Sequence, residues 1–210
     1  MKRVLNKNKL FYFIMSFVII VILIITGVKV YKDFFSGKKE DDVVTKNTLE
    51  ALELYGYTLD DLDTDLYKEY FEELKNILNS EEVDYESYAK VIVKLFVTDF
   101  YTLDNKVTST DIGGAEFIHP DLVSNFKMNA GDTMYHTVKT NINGDRQQDL
   151  PVVSKVEVNG VEKSTYAYNE KEYEAYKVSV TWEYEKDLGY ESKGVFTVIK
   201  DSNKLYLVEK

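Results

Sequence analysis

The sequence predicts an α+β protein in which one N-terminal transmembrane helix precedes a single folded domain. Three observations favour this class: an uncharged run at residues 10–28, helical periodicity in the chain that follows, and strand-like alternation in the last third. We expect a basic tail at 1–9, the transmembrane helix at 10–28, a stalk at 29–46 and a folded domain at 47–210. The length of the last segment is typical of one domain.

The predicted transmembrane segment reads LFYFIMSFVIIVILIITGV, nineteen residues without a charge. As an α-helix it would span roughly 28 Å, which is close to the ~30 Å hydrocarbon core of a bilayer. A cleaved signal peptide is the alternative, but its apolar region is usually about 7 to 15 residues long and ends at a small-x-small site. Because Thr26, Gly27 and Val28 provide no such site, the sequence favours an uncleaved anchor in the lipid bilayer.

The distribution of charge predicts the orientation. The tail contains Lys2, Arg3, Lys7 and Lys9 and no acidic residue, whereas the whole chain has a formal net charge of −10. Since basic flanks remain in the cytoplasm, we expect a single-pass cell-membrane protein with a cytoplasmic N-terminus and an extracytoplasmic C-terminal domain. An acidic domain repels phosphate groups, which argues against nucleic-acid binding. The absence of cysteine excludes disulfides, zinc–thiolate sites and cysteine nucleophiles.

Helical periodicity predicts four helices in the first part of the domain. A short pattern covers residues 48–55, and a longer one covers 64–79 with Thr64 as its N-cap. A third helix is expected from Ser80 to about Tyr101. Pro120 suits a first helical position and opens the fourth helix.

Alternation with a period of two predicts antiparallel strands in the last third. From Tyr176 to Tyr184 every even position is apolar and the odd positions are polar, as in a strand with one buried face. Asn159-Gly160 is predicted to be a hairpin turn. The further predicted strands are 151–158, 161–168, 195–199 and 205–208. Helices followed by such a meander predict helices packed on one face of a sheet.

Aromatic residues are concentrated in these strands. We interpret the stripe of Tyr176, Trp182 and Tyr184, with Tyr166 and Tyr168 from a neighbouring strand, as sheet core. The alternative is that these rings line a ligand pocket.

The order of these elements resembles the NTF2-like fold, in which helices pack on a curved antiparallel sheet. Together with the basic tail and the anchor, the chain resembles VirB8-type membrane components of conjugation and type IV secretion systems. The resemblance covers the element order over about 47–210 and the helix ending VTDFYTLDNK at 97–106. It implies a bacterial assembly or scaffold component whose partners are other membrane-complex proteins or further copies of this chain. No cofactor is expected.

Acidic residues at the start of the second predicted helix have part of the pattern of a calcium-binding loop. Asp61, Asp63, Asp65 and Glu72 have the spacing of calcium-loop ligands, but Leu66 occupies the position that requires glycine. Acidic residues at a helix start also interact favourably with the helix dipole. We therefore interpret them as helix-start residues, and no metal site is predicted.

The segment between the third helix and Pro120 is the predicted partner-contact region, because loops carry contacts. Its candidate residues are Asp111, Gly113, Gly114, His119 and Pro120. The glycine pair lacks the lysine and the spacing of a phosphate-binding loop. His119 has no acidic partner at ligand spacing, and no catalytic or cofactor-binding residue is predicted.

The expected function is a non-enzymatic extracytoplasmic interaction or scaffold module. The alternative is an exported NTF2-like domain that binds a ligand or catalyses a reaction. Such an enzyme needs a buried carboxylate opposite an oxyanion donor, for which Asp99 and Asp104, near Tyr101, are conceivable. In the interior of the cone formed by the helices and the curved sheet, a cavity with a buried carboxylate would favour the enzyme, and filling by Tyr, Phe and Leu side chains would favour the scaffold.

Overall fold

A β-hairpin, three α-helices and a four-stranded sheet follow one another along residues 44–210, the part of the chain that this computed structural model describes. The hairpin consists of β1 (Thr48–Leu52) and β2 (Tyr57–Asp60). The helices are α1 (Asp65–Leu78), α2 (Tyr85–Tyr101) and α3 (Val123–Asp132). The sheet consists of β3 (Val153–Tyr168), β4 (Lys171–Tyr184), β5 (Lys193–Asp201) and β6 (Lys204–Glu209).

The two long helices begin at polar caps. Thr64 caps α1, as predicted, because its side chain accepts a hydrogen bond from the backbone N–H of Tyr67. Helix α2 is capped by Asp84 rather than by Ser80, so it begins five residues later than the predicted cap. Residues Val91 to Val93 in its middle are fully buried, which indicates a central helix packed on several sides.

The first predicted helix, at 48–55, is wrong. This segment forms β1 and the turn into β2 instead. Gly56 has a φ of +66°, which a glycine adopts readily and which allows the tight return of the chain. The pairing places Tyr57 and Leu59 in the core, and this tertiary burial outweighs the weak local helical pattern.

The sheet is an antiparallel meander with the order β3-β4-β5-β6. The predicted turn at Asn159-Gly160 is wrong, because β3 continues through it and Asn159 is the extra residue of a β-bulge. The chain reverses at Asn169 and Glu170, whose φ values of +49° and +62° fit a two-residue hairpin turn. The predicted strands around 195–199 and 205–208 are confirmed as β5 and β6.

The core lies between the sheet and α2. The even-numbered residues Val178, Val180 and Trp182 of β4 are buried in it, as the alternation predicted. Phe96 on α2 and Phe196 on β5 meet edge to face, with ring centroids 5.5 Å apart. Apolar side chains therefore fill the space between helix and sheet.

The predicted fold class, a transmembrane helix followed by an NTF2-like domain, is wrong. Residues 44–210 form a mixed α+β domain with a four-stranded antiparallel sheet and three α-helices. None of the helices in this range combines the length and the apolar character needed to cross a membrane. The tail at 1–9, the helix predicted at 10–28 and most of the stalk lie outside the described residues. Element order misled the prediction because one order is compatible with several packings.

Charge substitutions on β4 test the assignment of its faces. Val180 is 1% exposed, so Val180→Asp places an unpaired charge in the core and should unfold the domain. Ser179→Asp, on the opposite face, should retain the fold. Circular dichroism and thermal unfolding of both purified variants provide the measurement. Equal tolerance of the two substitutions would show that the faces are assigned incorrectly.

Candidate functional site

A polar pocket of about 340 Å³ lies beside the segment that connects α2 to α3. Its wall is formed by the β1–β2 hairpin, the start of α1, the end of α2, the connecting residues around 112–116 and the first turns of α3. The side chains that define this charged pocket are Lys46, Asp60, Asp63, Asp99, Glu116 and Lys127.

Asp99 and Lys106 form a buried ion pair at the pocket wall. Lys106 is 1% exposed, and its ammonium group donates to one carboxylate oxygen of Asp99. The other oxygen accepts a hydrogen bond of 2.6 Å from the backbone N–H of Gly114. Burial would raise the pKa of Asp99, but the nearby charges of Lys106 and Lys46 hold this pKa below its usual value.

The two adjacent glycines permit this contact. A Cβ on Gly113 would lie 2.5 Å from the backbone oxygen of Asp99, and a Cβ on Gly114 would lie 2.7 Å from the ring of Phe96. Gly114 also has a φ of +73°. The Gly113 N–H donates to the hydroxyl of Tyr135 at 3.1 Å. The glycine pair therefore allows the connecting segment to pack directly on α2.

Asp60, the last residue of β2, and Asp63, which follows it, lie at the other side of the pocket. The ammonium group of Lys46 lies 3.0 Å from the carboxylate of Asp60. Asp63 accepts a hydrogen bond of 2.7 Å from the backbone N–H of Asp60 and forms no ion pair with the described residues. Burial raises the pKa of Asp63 to about 6; the hydrogen bond from Asp60 lowers this pKa, and the charge of Asp99 raises it.

Glu116 ties the connecting segment to the hairpin and to α1. Its carboxylate accepts hydrogen bonds from the backbone N–H of Thr58 at 3.2 Å, from the Thr58 hydroxyl at 2.9 Å and from the Tyr67 hydroxyl at 3.0 Å. Burial is the largest cause of a pKa of about 7 for Glu116; the Thr58 hydrogen bonds lower this pKa and the charge of Asp99 raises it. In the described part of the chain, no ammonium or guanidinium group pairs with this carboxylate.

Two carboxyl groups of the pocket have pKa values raised towards neutral pH. The pKa of Asp63 is about 6 and that of Glu116 is about 7, so both groups gain or lose a proton in a range in which carboxyl groups are ordinarily fully ionised. Both histidines lie elsewhere: His119 contacts β6 through its backbone, and His136 is exposed. No group of three or more His, Asp or Glu side chains within residues 44–210 is arranged to hold a metal ion.

The structure places the predicted partner-contact residues mainly inside the domain. Gly113, Gly114 and His119 are buried, Asp111 is half-buried and accepts from the backbone N–H of Val107, and Pro120 is exposed. Their role as partner contacts stays a prediction. The charged pocket itself was not predicted from the sequence, although Asp63 and Asp99 were considered singly for other roles.

His119 protects the free edge of the sheet. Its backbone N–H donates to the carbonyl oxygen of Leu207 at 3.0 Å, and Ile118 forms a parallel bridge to the same residue. The segment that was predicted to contact a partner therefore pairs with the middle of β6, which would otherwise present open hydrogen-bonding groups.

A second, apolar pocket of about 510 Å³ lies between α2, α3, β5 and β6. Aromatic and aliphatic residues line most of it, and polar side chains such as Asn125 and Lys210 stand at its border. The apolar members are Phe96, Phe100, Ile118, Leu122, Phe126, Ala130, Phe196, Leu207 and Val208. Neither Asp99 nor Asp104, the two conceivable catalytic carboxylates, is part of this lining.

The outer face of the sheet carries a cluster of tyrosines. Tyr166, Tyr168, Tyr173 and Tyr206, which we call the tyrosine surface, pack around the buried side chains of Ala175 and Ile199. His119 stands edge to face against Tyr168 and Tyr206, with centroids 5.6 and 5.4 Å apart. Of the residues interpreted as sheet core, Tyr176 and Trp182 lie in the main core, whereas Tyr166 and Tyr168 pack in this separate cluster on the other face of the sheet.

Comparison with protein-family models, with curated proteins and with solved structures finds no match to this chain. No activity and no partner is therefore assigned through a relative.

Removing the buried lysine tests the importance of the ion pair. Lys106→Met leaves Asp99 buried without its charged partner and should lower the free energy of unfolding by about 3–5 kcal/mol. Lys139→Met, at an exposed lysine, should change it by no more than about 0.5 kcal/mol. Denaturant unfolding of both variants measures the difference. If Lys106→Met and Lys139→Met are equally stable, the ion pair of Asp99 and Lys106 does not stabilise the fold.

Proposed function

We propose that residues 44–210 form an extracytoplasmic protein-interaction module that acts at a membrane. The observation that carries this proposal is the tyrosine surface, on the side of the sheet opposite the main core. Its partners are proteins of a membrane complex or further copies of this chain. A conjugation or type IV secretion complex is the setting that the proposal favours.

The physical argument begins with the two faces of the sheet. One face packs on α2, and within residues 44–210 the other face is covered only by its own strand residues and by the ring of His119, which contacts Tyr168 and Tyr206. Tyrosine offers a large, rigid contact area and a hydroxyl that can hydrogen-bond, and it is enriched at protein interfaces and at their energetic centres. Three of the four tyrosines, Tyr166, Tyr168 and Tyr206, are half-buried and so retain surface for a partner.

The shape of the sheet supports the same proposal. Strand β5 pairs with β4 between Ala175 and Thr181, whereas β3 pairs with β4 as far as Tyr168 and Lys171. The end of the β3–β4 hairpin is therefore a two-stranded arm, and it presents Tyr166 and Tyr168. The arm contacts the rest of the domain through Lys171, which pairs with Asp201 of β5, and through Tyr168, which packs against His119, while half-buried Tyr166 retains surface for another protein.

The filled main core supports an interaction role over catalysis. Phe96, Val180, Trp182 and Phe196 occupy the space between α2 and the sheet, where a catalytic cavity was the alternative. The carboxyl groups with raised pKa values lie in the separate charged pocket. A binding site for a small apolar ligand is the second candidate function, and the apolar pocket between α2, α3, β5 and β6 is the observation that favours it.

Crosslinking from the tyrosine surface tests the interaction. A photoreactive phenylalanine analogue at Tyr166 or Tyr206 of the full-length protein in its membranes should crosslink to another protein. The same analogue at Glu69, an exposed position on α1, serves as the control. Tyr206→Ser should lower crosslinking from Tyr166 at least about tenfold, whereas Tyr190→Ser, elsewhere in the domain, should not. Crosslinks of equal yield from Glu69, or none from either tyrosine, would contradict the proposal.

Protease accessibility tests the proposed location. The tail is basic and the described domain is acidic, so we expect the domain on the extracytoplasmic side. Protease added to intact cells should degrade residues 44–210 and spare a tag at the N-terminus. Protection of the domain in cells whose surface proteins are digested would contradict this orientation.

A further inference from the structure

We propose that the charged pocket binds an organic cation, a primary ammonium or guanidinium group, with Asp63 and Glu116 as its ionic partners. This inference is independent of the partner that contacts the tyrosine surface.

The first step concerns the balance of charge. Of the four carboxylates at the pocket, Asp60 is paired with Lys46, and Asp99 is paired with Lys106. Asp63 and Glu116 form no ion pair with any residue in 44–210, and Lys127 is an exposed lysine at the border. The pocket therefore contains two carboxyl groups without a direct ion pair in the described chain, and the nearby charges of Lys46 and Lys204 act on them only at longer range.

The second step concerns burial. Asp63 is 7% exposed, borders the pocket, and receives one hydrogen bond, from the backbone N–H of Asp60. A carboxylate has about four acceptor positions, so most of the capacity of Asp63 remains unused by the protein. A buried carboxylate without a cation is costly, and a ligand that brings a positive charge would remove that cost.

The third step concerns the size and chemistry of the ligand. A volume of about 340 Å³ is at the lower end of the range for small-molecule sites and accommodates an alkylammonium or a guanidinium group. The pocket already holds one ammonium group, that of Lys46, against a carboxylate. Since the described residues offer no metal-binding group, hydrogen-bonding organic cations fit better than a metal ion.

The groups around each carboxyl group set the pH dependence of stability and of cation binding. Glu116 faces Thr58 of β2, Tyr67 of α1 and the charge of Asp99 on α2, and the ammonium group of Lys204 lies near its backbone oxygen. Asp63 faces Asp60 and Asp99 and, among positive groups, Lys46 and Lys106.

Without ligand, the raised pKa values stabilise the fold at acidic pH. The stability that Glu116 contributes is complete below its ordinary pKa of 4.5 and is lost as the pH rises through about 7. The stability that Asp63 contributes is complete below its ordinary pKa of 3.8 and is lost as the pH rises through about 6. A cation prefers the ionised carboxylates, so its binding releases protons and becomes tighter over the same range.

The experiment measures thermal stabilisation of the full-length purified protein by n-butylammonium and by guanidinium near millimolar concentrations. At pH 7.5 either probe should raise the unfolding temperature above that in sodium chloride of equal ionic strength. Affinity should increase roughly tenfold or more between pH 5.5 and 7.5, because both carboxyl groups ionise in this interval. Tetramethylammonium, which has the charge but no N–H donor, should have little effect.

Two substitutions locate the site. Glu116→Gln and Asp63→Asn keep the side-chain size, and each should weaken n-butylammonium binding about tenfold and reduce its pH dependence. Glu162→Gln, at an exposed acid of β3, is the matched control and should leave binding unchanged. If one variant does not fold, the other provides the result.

Two sources of the cation can be distinguished with a further probe. An acetylated lysine methylamide represents a lysine side chain of a protein, and spermidine represents a free polyamine. If one of these two probes binds more tightly than n-butylammonium, the result supports the site and identifies the source of the cation. The proposal is overturned if n-butylammonium acts no more strongly than tetramethylammonium, or if binding is the same in Glu116→Gln, Asp63→Asn and the unmodified protein.

Discussion

The buried ion pair of Asp99 and Lys106 is the interaction on which the rest of this domain depends. It joins the last turn of α2 to the start of the long connection that leads to α3. A buried ion pair is costly unless its remaining hydrogen-bonding atoms also have partners. The second carboxylate oxygen of Asp99 accepts a hydrogen bond from the N–H of Gly114. The path of the connection from residue 102 to 119 is therefore tied to one carboxylate.

Several features follow from this path. Once Gly113 and Gly114 lie against α2, Glu116 reaches Thr58 and Tyr67, and Ile118 and His119 reach the edge of β6. The charged pocket is the space that remains between this connection, the hairpin and α1. The edge of the sheet and the wall of the pocket are thus built by one segment, so substitutions in that segment affect both.

The two groups of aromatic residues on the sheet have different physical roles. The rings that face α2 are held by close packing and leave a filled interior. The tyrosine surface instead packs around Ala175 and Ile199 with three half-buried rings, and two lysines, Lys171 and Lys204, lie over the rings of Tyr173 and Tyr206. A partner can use such a surface without disturbing the core, which is why an interaction role and a stable fold are compatible here.

The sequence by itself determined the elements whose signal is local. The apolar stripe and the Thr64 cap defined α1, and alternation defined β4 and its buried face, because period and capping depend on neighbours in the chain. The hairpin at 48–60 needed the tertiary structure because Tyr57 is held by Tyr88 and Leu205, which are distant in sequence. The bulge at Asn159 needed it because the pairing of β3 with β4 decides it. The same holds for the site. Lys46, Asp63, Asp99 and Glu116 are far apart along the chain, and no spacing rule relates them. Only folding removes water from these groups and brings their charges together, and this is the physical reason why the charged pocket was decided by the tertiary structure alone.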